Sequence, residues 1–356
     1  VLNLTPQTRK KLRRFRQIRR GYYSFLILVG LSALLACGEL LINSRALVVS
    51  YQGELYFPTY GDFHPGTDFG LDYQYETNYR ELQARFAAAD EGNWLLLPLI
   101  PYNPYENNAA AGGVFRPQPP SAEAQHYLGT DTTSRDILAR LFYGTRIALL
   151  FALGFTLSVY LIGIAIGCAM GYFGGVFDLA LQRVIEIWSN VPFLYMVIII
   201  FSVIPSTVAV PTRISILLLV MVLFSWTGMT YYMRTETYKE KARDYVAAAR
   251  IIGASNTRII FRHIMPNVLS TLITFMPFTV VAAISAITAL DFLGFGLPVP
   301  TPSLGELLKQ GTANLRTAPW IVISAFGTLV ALLTLVTFIG EAIRESFDPK
   351  TFSVYR

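Results

Sequence analysis

The sequence predicts an all-α polytopic membrane protein with six spanning helices and a large loop between the first and second. Three observations carry this. Hydrophobic residues make up 53% of the 356 and charged residues only 15%, with a mean hydropathy of +0.45, which is membrane rather than soluble composition. Apolar runs of spanning length recur along the chain, a bilayer core of about 30 Å needing roughly 20 such residues per helix. The net charge of +6 is concentrated in a few segments instead of spread over a surface.

The elements follow in chain order. Residues 1–21 form a basic tail in which Arg9, Lys10, Lys11, Arg13, Arg14, Arg16, Arg19 and Arg20 crowd together. Such a cluster can bind nucleic acid, but it runs straight into the apolar run 22–42 (Tyr22–Ile42), so retention on the cytoplasmic side explains it more simply. No small-residue cleavage site follows, and 22–42 reads as an anchor rather than a removable signal. Residues 43–143 are rich in Tyr, Pro, Gly and Asn and lack lysine; they read as an external loop or cap. Its Trp94–Tyr105 stretch, WLLLPLIPYNPY, is broken by Pro98, Pro101 and Pro104 and reads as a packed or membrane-surface element.

The transmembrane domain is expected over 144–340. Its runs are Ile147–Phe173, a short Val191–Ile204 that reaches spanning length from about Arg183, Ile214–Met233, Leu269–Leu290 and Trp320–Gly340. Gly163, Gly167 and Gly171 at four-residue spacing flatten one face of the second span for close helix approach. Gly174 and Gly175 end that helix, and Asp178, Arg183 and Glu186 are spaced for local pairing. Lys and Arg placement puts the N-terminal tail, the loop 234–267 and the tail 341–356 on one side. The spans hold almost no ionisable groups, which argues against a proton-coupled carrier or charged ion filter.

The loop holds the most informative segment, DYVAAARIIGASNTRIIFRHIMPN (Asp244–Asn267). Tyr238–Ile252 has helix formers, Gly253 suits a left-handed helix end, and Ser255 or Asn256 can cap a second helix that runs through Arg258, Arg262 and His263 to Pro266. An alanine and a glycine at this spacing also occur in helix-turn-helix units, so a membrane-anchored DNA-binding regulator is the rival reading. The loop is too short for an independent DNA-binding core. Cys37 and Cys168 are expected at opposite depths of their spans, which argues against a disulfide, and His64, His126 and His263 are not expected to converge, so no metal site or catalytic cluster emerges.

Three motifs in order then carry a resemblance. Ala247-Ala248-Ala249, Gly253, His263, Met265 and Pro266 resemble the EAA loop of permease subunits from ATP-binding-cassette importers, with Ala247 in place of the glutamate and His263 in place of isoleucine. Leu128 to Asp136 with Gly144 and Arg146 is similar to the LGTDxxGRD…GxR signature of dipeptide and oligopeptide permease C-type subunits, with Ser134 where glycine is usual. Asp291-Phe-Leu-Gly-Phe-Gly296, Pro302–Gly305 and Phe347-Asp348-Pro349 resemble that family's later segments. The resemblance covers Gln125 to Lys350, and Asp291 with the long first loop looks most like the Yej-type peptide permeases.

The resemblance implies a type I importer permease fold in a bacterial inner membrane, both termini cytoplasmic. It implies a second permease subunit, an ATPase that binds ATP and Mg, a periplasmic peptide-binding protein and a peptide cargo, peptide antibiotics such as microcin C included. Nickel or another small solute is the alternative cargo. Tyr245, Ala247, Ala248, Ala249, Arg250, Gly253, Arg262, His263 and Pro266 are the expected ATPase-coupling residues. Ala248, Ala249 and Gly253 are expected to make the close contact, and Arg250 and Arg262 the polar ones. Gly129, Thr130, Asp131, Arg135, Asp136, Phe292, Gly294 and Gly296 are expected in an external motif and gate. Thr130 or Asp131 would cap the following helix and Asp136 would pair with Arg135 or Arg140. The chain has no Gly-x-x-x-x-Gly-Lys-Ser/Thr phosphate cradle, so it is expected to bind no cofactor itself and to be no enzyme. Nucleic acid is not an expected partner; membrane lipid is.

Overall fold

The structure, a computed structural model, describes residues 6–89, 91–108, 113–205 and 207–347. Helices dominate: α1 Pro6–Gln17, α2 Arg19–Ala36, α3 Gly38–Leu41, α4 Tyr79–Ala89, α5 Ile137–Phe173, α6 Gly175–Ser189, α7 Phe193–Val203, α8 Val210–Lys241, α9 Asp244–Ile251, α10 Asn256–Arg258, α11 Met265–Leu272, α12 Met276–Leu293, α13 Leu304–Ala313 and α14 Pro319–Phe347. Three short strands, β1 Val48–Tyr51, β2 Glu54–Tyr56 and β3 Trp94–Leu96, lie between α3 and α5. Among the described residues four helices, α5, α8, α12 and α14, are long and apolar enough to cross a bilayer. The count reaches six when the bent pairs α1 with α2 and α6 with α7 are each taken as one span.

The chain forms two units. The helical unit comprises Val1–Val29, Ala148–Pro298 and Val330–Arg356. Helices α5 and α8 pack closely where the glycine stripe lies. A Cβ on Gly167 would stand 2.5 Å from the Thr230 carbonyl oxygen, and one on Gly171 would stand 2.7 Å from that of Arg234. The flattened face is therefore a backbone-to-backbone contact. Gly21 of α2 meets α14 as closely, a Cβ there falling 2.0 Å from that of Ala342.

Several boundaries differ from those the hydropathy pattern predicts, and prolines explain most of them. The expected run Leu269–Leu290 is two helices, α11 and α12, separated at Ile273–Phe275. Pro277 sits in the first turn of α12, where its missing N–H costs nothing, whereas inside a continuous helix it would clash with the preceding turn. The expected helix from Arg183 to Ile204 breaks between Ser189 and Phe193 and bends by 70°, because Pro192 excludes the helical conformation from the residue before it. The run Tyr22–Ile42 ends as a helix at Ala36 and resumes as the single turn α3.

The second, mixed unit comprises Gly30–Ile147 and Val299–Leu329. Its strands form an antiparallel sheet of order β2-β1-β3, with Val49 opposite both Tyr56 and Leu95. Its core is rich in aromatics: Phe69, Tyr79, Leu82 and Phe86 bury against Val49 and Leu95, with Tyr51 stacked on Phe86 at 5.8 Å. Burial pushes the Tyr79 phenol above its ordinary range. The strand conformation of Trp94–Leu96 was not expected; Leu95 alone of the three faces the core. A second core in this unit gathers Ile137, Leu141, Leu304, Leu307, Ile321 and Ala325.

Candidate functional site

The segment Asp244–Asn267 is a folded, self-braced loop rather than a solvated connection. The expected helix Tyr238–Ile252 is in fact two: α8 ends at Lys241 and the chain turns at Ala242–Arg243 before α9. Val246 and Ala249 are buried and fix which face of α9 turns inward. Gly253 closes α9 in the left-handed region (φ +79°); the Ala254 N–H bonds the Ala249 carbonyl at 3.0 Å, the six-to-one bond of a Schellman end. Ser255, not Asn256, caps the next helix, its side chain accepting the Arg258 N–H at 3.4 Å.

The second half of the loop carries a local register change. Residues Ile259–Ile264 form a π-helical turn, with the Met265 N–H bonded to the Ile260 carbonyl. Pro266 has no N–H and its ring crowds the carbonyl four residues back, and widening the helix by one residue relieves both. Tyr245 ties the two halves together. Its hydroxyl donates to Glu240 at 2.6 Å and accepts from Asn267 Nδ2 at 3.1 Å, and Asn267 also donates to the His263 carbonyl at 2.8 Å. Burial, then the Glu240 bond, raises the Tyr245 phenol from its ordinary pKa.

The base of the loop is anchored to α5 and α6. The Tyr172 hydroxyl donates to Asn256 Oδ1 at 2.7 Å, and the Arg250 guanidinium lies 5.4 Å from the Tyr172 ring centre. Asp178 does not pair locally as its spacing suggested. It takes two bonds from Arg234 of α8, at 2.5 and 2.6 Å, and a third from the Tyr238 hydroxyl at 2.8 Å. Only Arg183 and Glu186 make the expected local pair, at 2.6 Å. A bidentate Arg–carboxylate contact on a nearly buried acid fixes the angle between α6 and α8 more firmly than a surface pair would.

What the loop presents to solvent differs from the set read in the sequence. Ala247, Ala248, Arg250, Gly253, Arg262 and Pro266 are exposed and His263 is half-buried. Ala249 is buried against the chain itself, so it cannot belong to an outward contact surface. The residues that sequence reasoning missed are Ile251 and Ile252, 86% and 85% exposed at the tip, and Phe261, 61% exposed. Their signal was present in the helix period: Val246 and Ala249 share the inward face, which leaves Ile251 roughly opposite it.

The 128–136 motif is a tightly bonded knot in the mixed unit, with two roles exchanged relative to the expectation. Asp136 caps α5, its Oδ1 accepting the Ala139 N–H at 2.7 Å, and its other oxygen meets His126 Nδ1 at 2.8 Å. Asp131 supplies the ion pairs, to Arg135 at 2.8 Å and Arg140 at 3.4 Å. Asp136 directly precedes the helix and Asp131 does not, which decides the exchange. Glu306 of α13 binds both arginines, Arg135 at 3.1 Å and Arg140 more closely. Arg140 is wholly buried, and three elements of this unit are thus held by one charge cluster. Gly129 is in the left-handed region, and a Cβ there would stand 2.6 Å from the Gln118 carbonyl. Trp320 Nε1 donates to the Thr130 carbonyl at 3.1 Å.

Phe292, Gly294 and Gly296 fall in the helical unit. Gly294 ends α12 with φ +86°. Asp291 Oδ1 accepts the Leu297 N–H at 2.6 Å, and a Cβ on Gly296 would fall 1.8 Å from that oxygen. The turn thus requires glycine there because the acid occupies the space. Phe347 ends α14, and Asp348 and Pro349 lie outside the described residues.

Comparison with known proteins gives this geometry its context. Residues 163–353 match the family model of the binding-protein-dependent transport system inner membrane component. The chain belongs to that family. As a permease it is 42% identical over 349 residues to the inner membrane ABC transporter permease protein YejE of Escherichia coli K12, covering 97% of this chain and 98% of that one. It is 38% identical to the peptidoglycan transport system permease protein YejE of Agrobacterium fabrum, covering 98% and 94%. The oligopeptide transport system permease protein OppC of Haemophilus influenzae is 32% identical over 65% of this permease and 72% of its own length. The Asp244–Asn267 loop, the glycine stripe and the Asp178–Arg234 pair all lie inside the matched region of the permease. Neither these matches nor the geometry supports the readings as a DNA-binding regulator or a nickel permease.

Proposed function

We propose that this chain is one of two permease subunits of an importer for peptides, driven by an ATPase that docks on the Asp244–Asn267 loop. The observation that carries the reading is the exposed Ile251–Ile252 tip. Two apolar side chains beside a left-handed glycine sit on a loop braced from within and anchored through Tyr172. That is a helix built to enter a groove on another protein. Arg250, Arg258 and Arg262 rim it with positive charge, and Ala247 and Ala248 allow close approach. ATP and Mg belong to the ATPase, and a periplasmic binding protein delivers cargo to the opposite face. The basic segments then lie in the cytoplasm with both termini.

The cargo class is supported by the relatives, whose names divide between oligopeptide and peptidoglycan transport; peptide is the chemistry common to both. The helical unit offers an open groove of about 460 Å³, lined by Phe155, Val159, Tyr232, Phe275, Phe278 and Thr279 among others. Apolar and aromatic walls with a few hydroxyls suit passage of varied side chains without tight selection. We assign this groove to the wall of the pathway.

Ile252→Asp tests the coupling. The side chain is exposed, so insertion and folding are expected to be normal. A charge forced into a desolvated groove costs a docking hot spot about 2 kcal/mol or more. The binding-protein-stimulated ATPase rate of the reconstituted complex should therefore fall by on the order of thirtyfold at limiting ATPase, and uptake with it. Wild-type uptake in this variant would overturn the reading. Gly253→Leu is expected to fail as well, but it also strains a φ of +79°, so the isoleucine is the cleaner probe.

A further inference from the structure

The basic N-terminal segment is more than a charge signal. Helix α1 meets α2 at 93° across a break at Ile18, so it runs at right angles to the helix that enters the bilayer. It does not continue the axis of α2. Residues Arg9, Lys10, Lys11, Arg13, Arg14 and Arg16 fall within its twelve positions, with no acid among them. The elbow is held: Phe15 packs edge-on against Phe25 at 6.0 Å, Lys11 Nζ stands 4.2 Å over the Phe347 ring, and Gly21 lets α2 close onto α14. A helix perpendicular to a span and joined directly to it lies in the plane of the membrane surface.

Its side chains are sorted for that position. Arg9, Arg13 and Arg16 recur at intervals of four and three, which places them in one stripe. All are exposed and, among the described residues, make no ion pair or hydrogen bond. Leu12, 45% exposed, and the half-buried Phe15 lie along one flank of that stripe. Among the described residues nothing neutralises the stripe, and a helix lying on the membrane surface would hold its three guanidiniums at headgroup depth, with Leu12 toward the acyl boundary. Each guanidinium matches a phosphate in bidentate geometry.

We propose that α1 is a binding site for anionic phospholipid headgroups, a phosphodiester surface of the leaflet that α2 enters. Charge complementarity and covalent continuity with a spanning helix select lipid over nucleic acid or a protein partner. The site is independent of the cargo and of the ATPase-docking loop.

The test uses the full chain in lipid nanodiscs, with Cys37 and Cys168 replaced by serine and Leu12→Cys carrying an environment-sensitive fluorophore. Discs of phosphatidylcholine alone are compared with discs containing phosphatidylglycerol. The probe should brighten and shift to the blue in the anionic discs, and added salt should reverse this. Native mass spectrometry should find phosphatidylglycerol retained over phosphatidylcholine. At roughly fivefold per guanidinium, Arg9→Gln/Arg13→Gln/Arg16→Gln should lose on the order of a hundredfold in that preference, and the triple lysine variant should keep most of it. Unchanged thermal unfolding of the glutamine variant shows that it folds. A probe equally water-exposed in both discs, or retention indifferent to headgroup charge, would overturn the proposal. So would cross-linking of the stripe to an ATPase subunit in place of lipid.

Discussion

Ser134 shows how a single residue departs from its family's pattern without losing the structure. It occupies the left-handed region (φ +63°), which is why glycine is usual at that place. A side chain there costs about 1–2 kcal/mol. The serine offsets this locally: its hydroxyl donates to the Arg116 carbonyl at 2.9 Å and accepts the Arg116 N–H at 2.8 Å. Ser134→Ala keeps the strain and loses both bonds, so it should destabilise the 113–136 region by about 2–3 kcal/mol. Ser134→Gly loses the bonds but also the strain and should cost less than half as much. Hydrogen exchange of peptides across 113–136 distinguishes the two; equal protection loss would show that the backbone conformation is not the cause. From the sequence, Ser134 is visible only as an oddity, because neither its φ nor its partner Arg116 is written in the spacing of the motif.

Among the elements, the glycine stripe of α5 was readable and the helix breaks were not. Four-residue spacing of glycines in an apolar run specifies a close contact without saying with what, and the structure supplies the Thr230 and Arg234 carbonyls of α8. Gly167→Leu must push two backbones apart, since a carbonyl oxygen 2.5 Å from the new Cβ cannot move aside. A loss of about 3 kcal/mol or more is expected, seen as a lower unfolding temperature and poor recovery in detergent. Gly327→Ala in α14 meets nothing within 4 Å and should be close to neutral in the same assay. The bend at Pro192 and the helix break before Pro277 sit inside runs that hydropathy scores as continuous. Hydropathy averages over a window and is blind to one missing N–H. The loop's outward face was half readable for a related reason: the alanine–glycine pattern located the segment, but only burial of Val246 and Ala249 tells which side faces out.

For the whole molecule, the proposed orientation makes a sharp demand. Glu123, exposed in the mixed unit, and Thr257, exposed on the loop, must lie on opposite sides of the membrane. In a background free of Cys37 and Cys168, Glu123→Cys should react with an impermeant maleimide on intact spheroplasts. Thr257→Cys should react only after permeabilisation. The reverse pattern would invert the topology and with it the assignment of the loop to an ATPase. The helical membrane architecture and the transport family were both within reach of the sequence, because hydropathy and motif order are long-range signals; the six-span count matches the structure only when each bent helix pair is taken as one span. The sheet of the mixed unit was hidden, since β1 and β3 pair across the 42 residues 52–93 that lie between them and each strand is at most four residues long.

The exposed tip also sets how long an unassembled copy can last. Ile251 and Ile252 stand almost fully exposed, with nothing among the described residues covering them. Burying each is worth about 1.5–3 kcal/mol. A permease made in excess of its ATPase thus displays the kind of feature that quality-control proteases and chaperones recognise. With the tip as the docking surface proposed above, unassembled copies are expected to be degraded faster, read as a shorter half-life of this chain in cells that lack the ATPase.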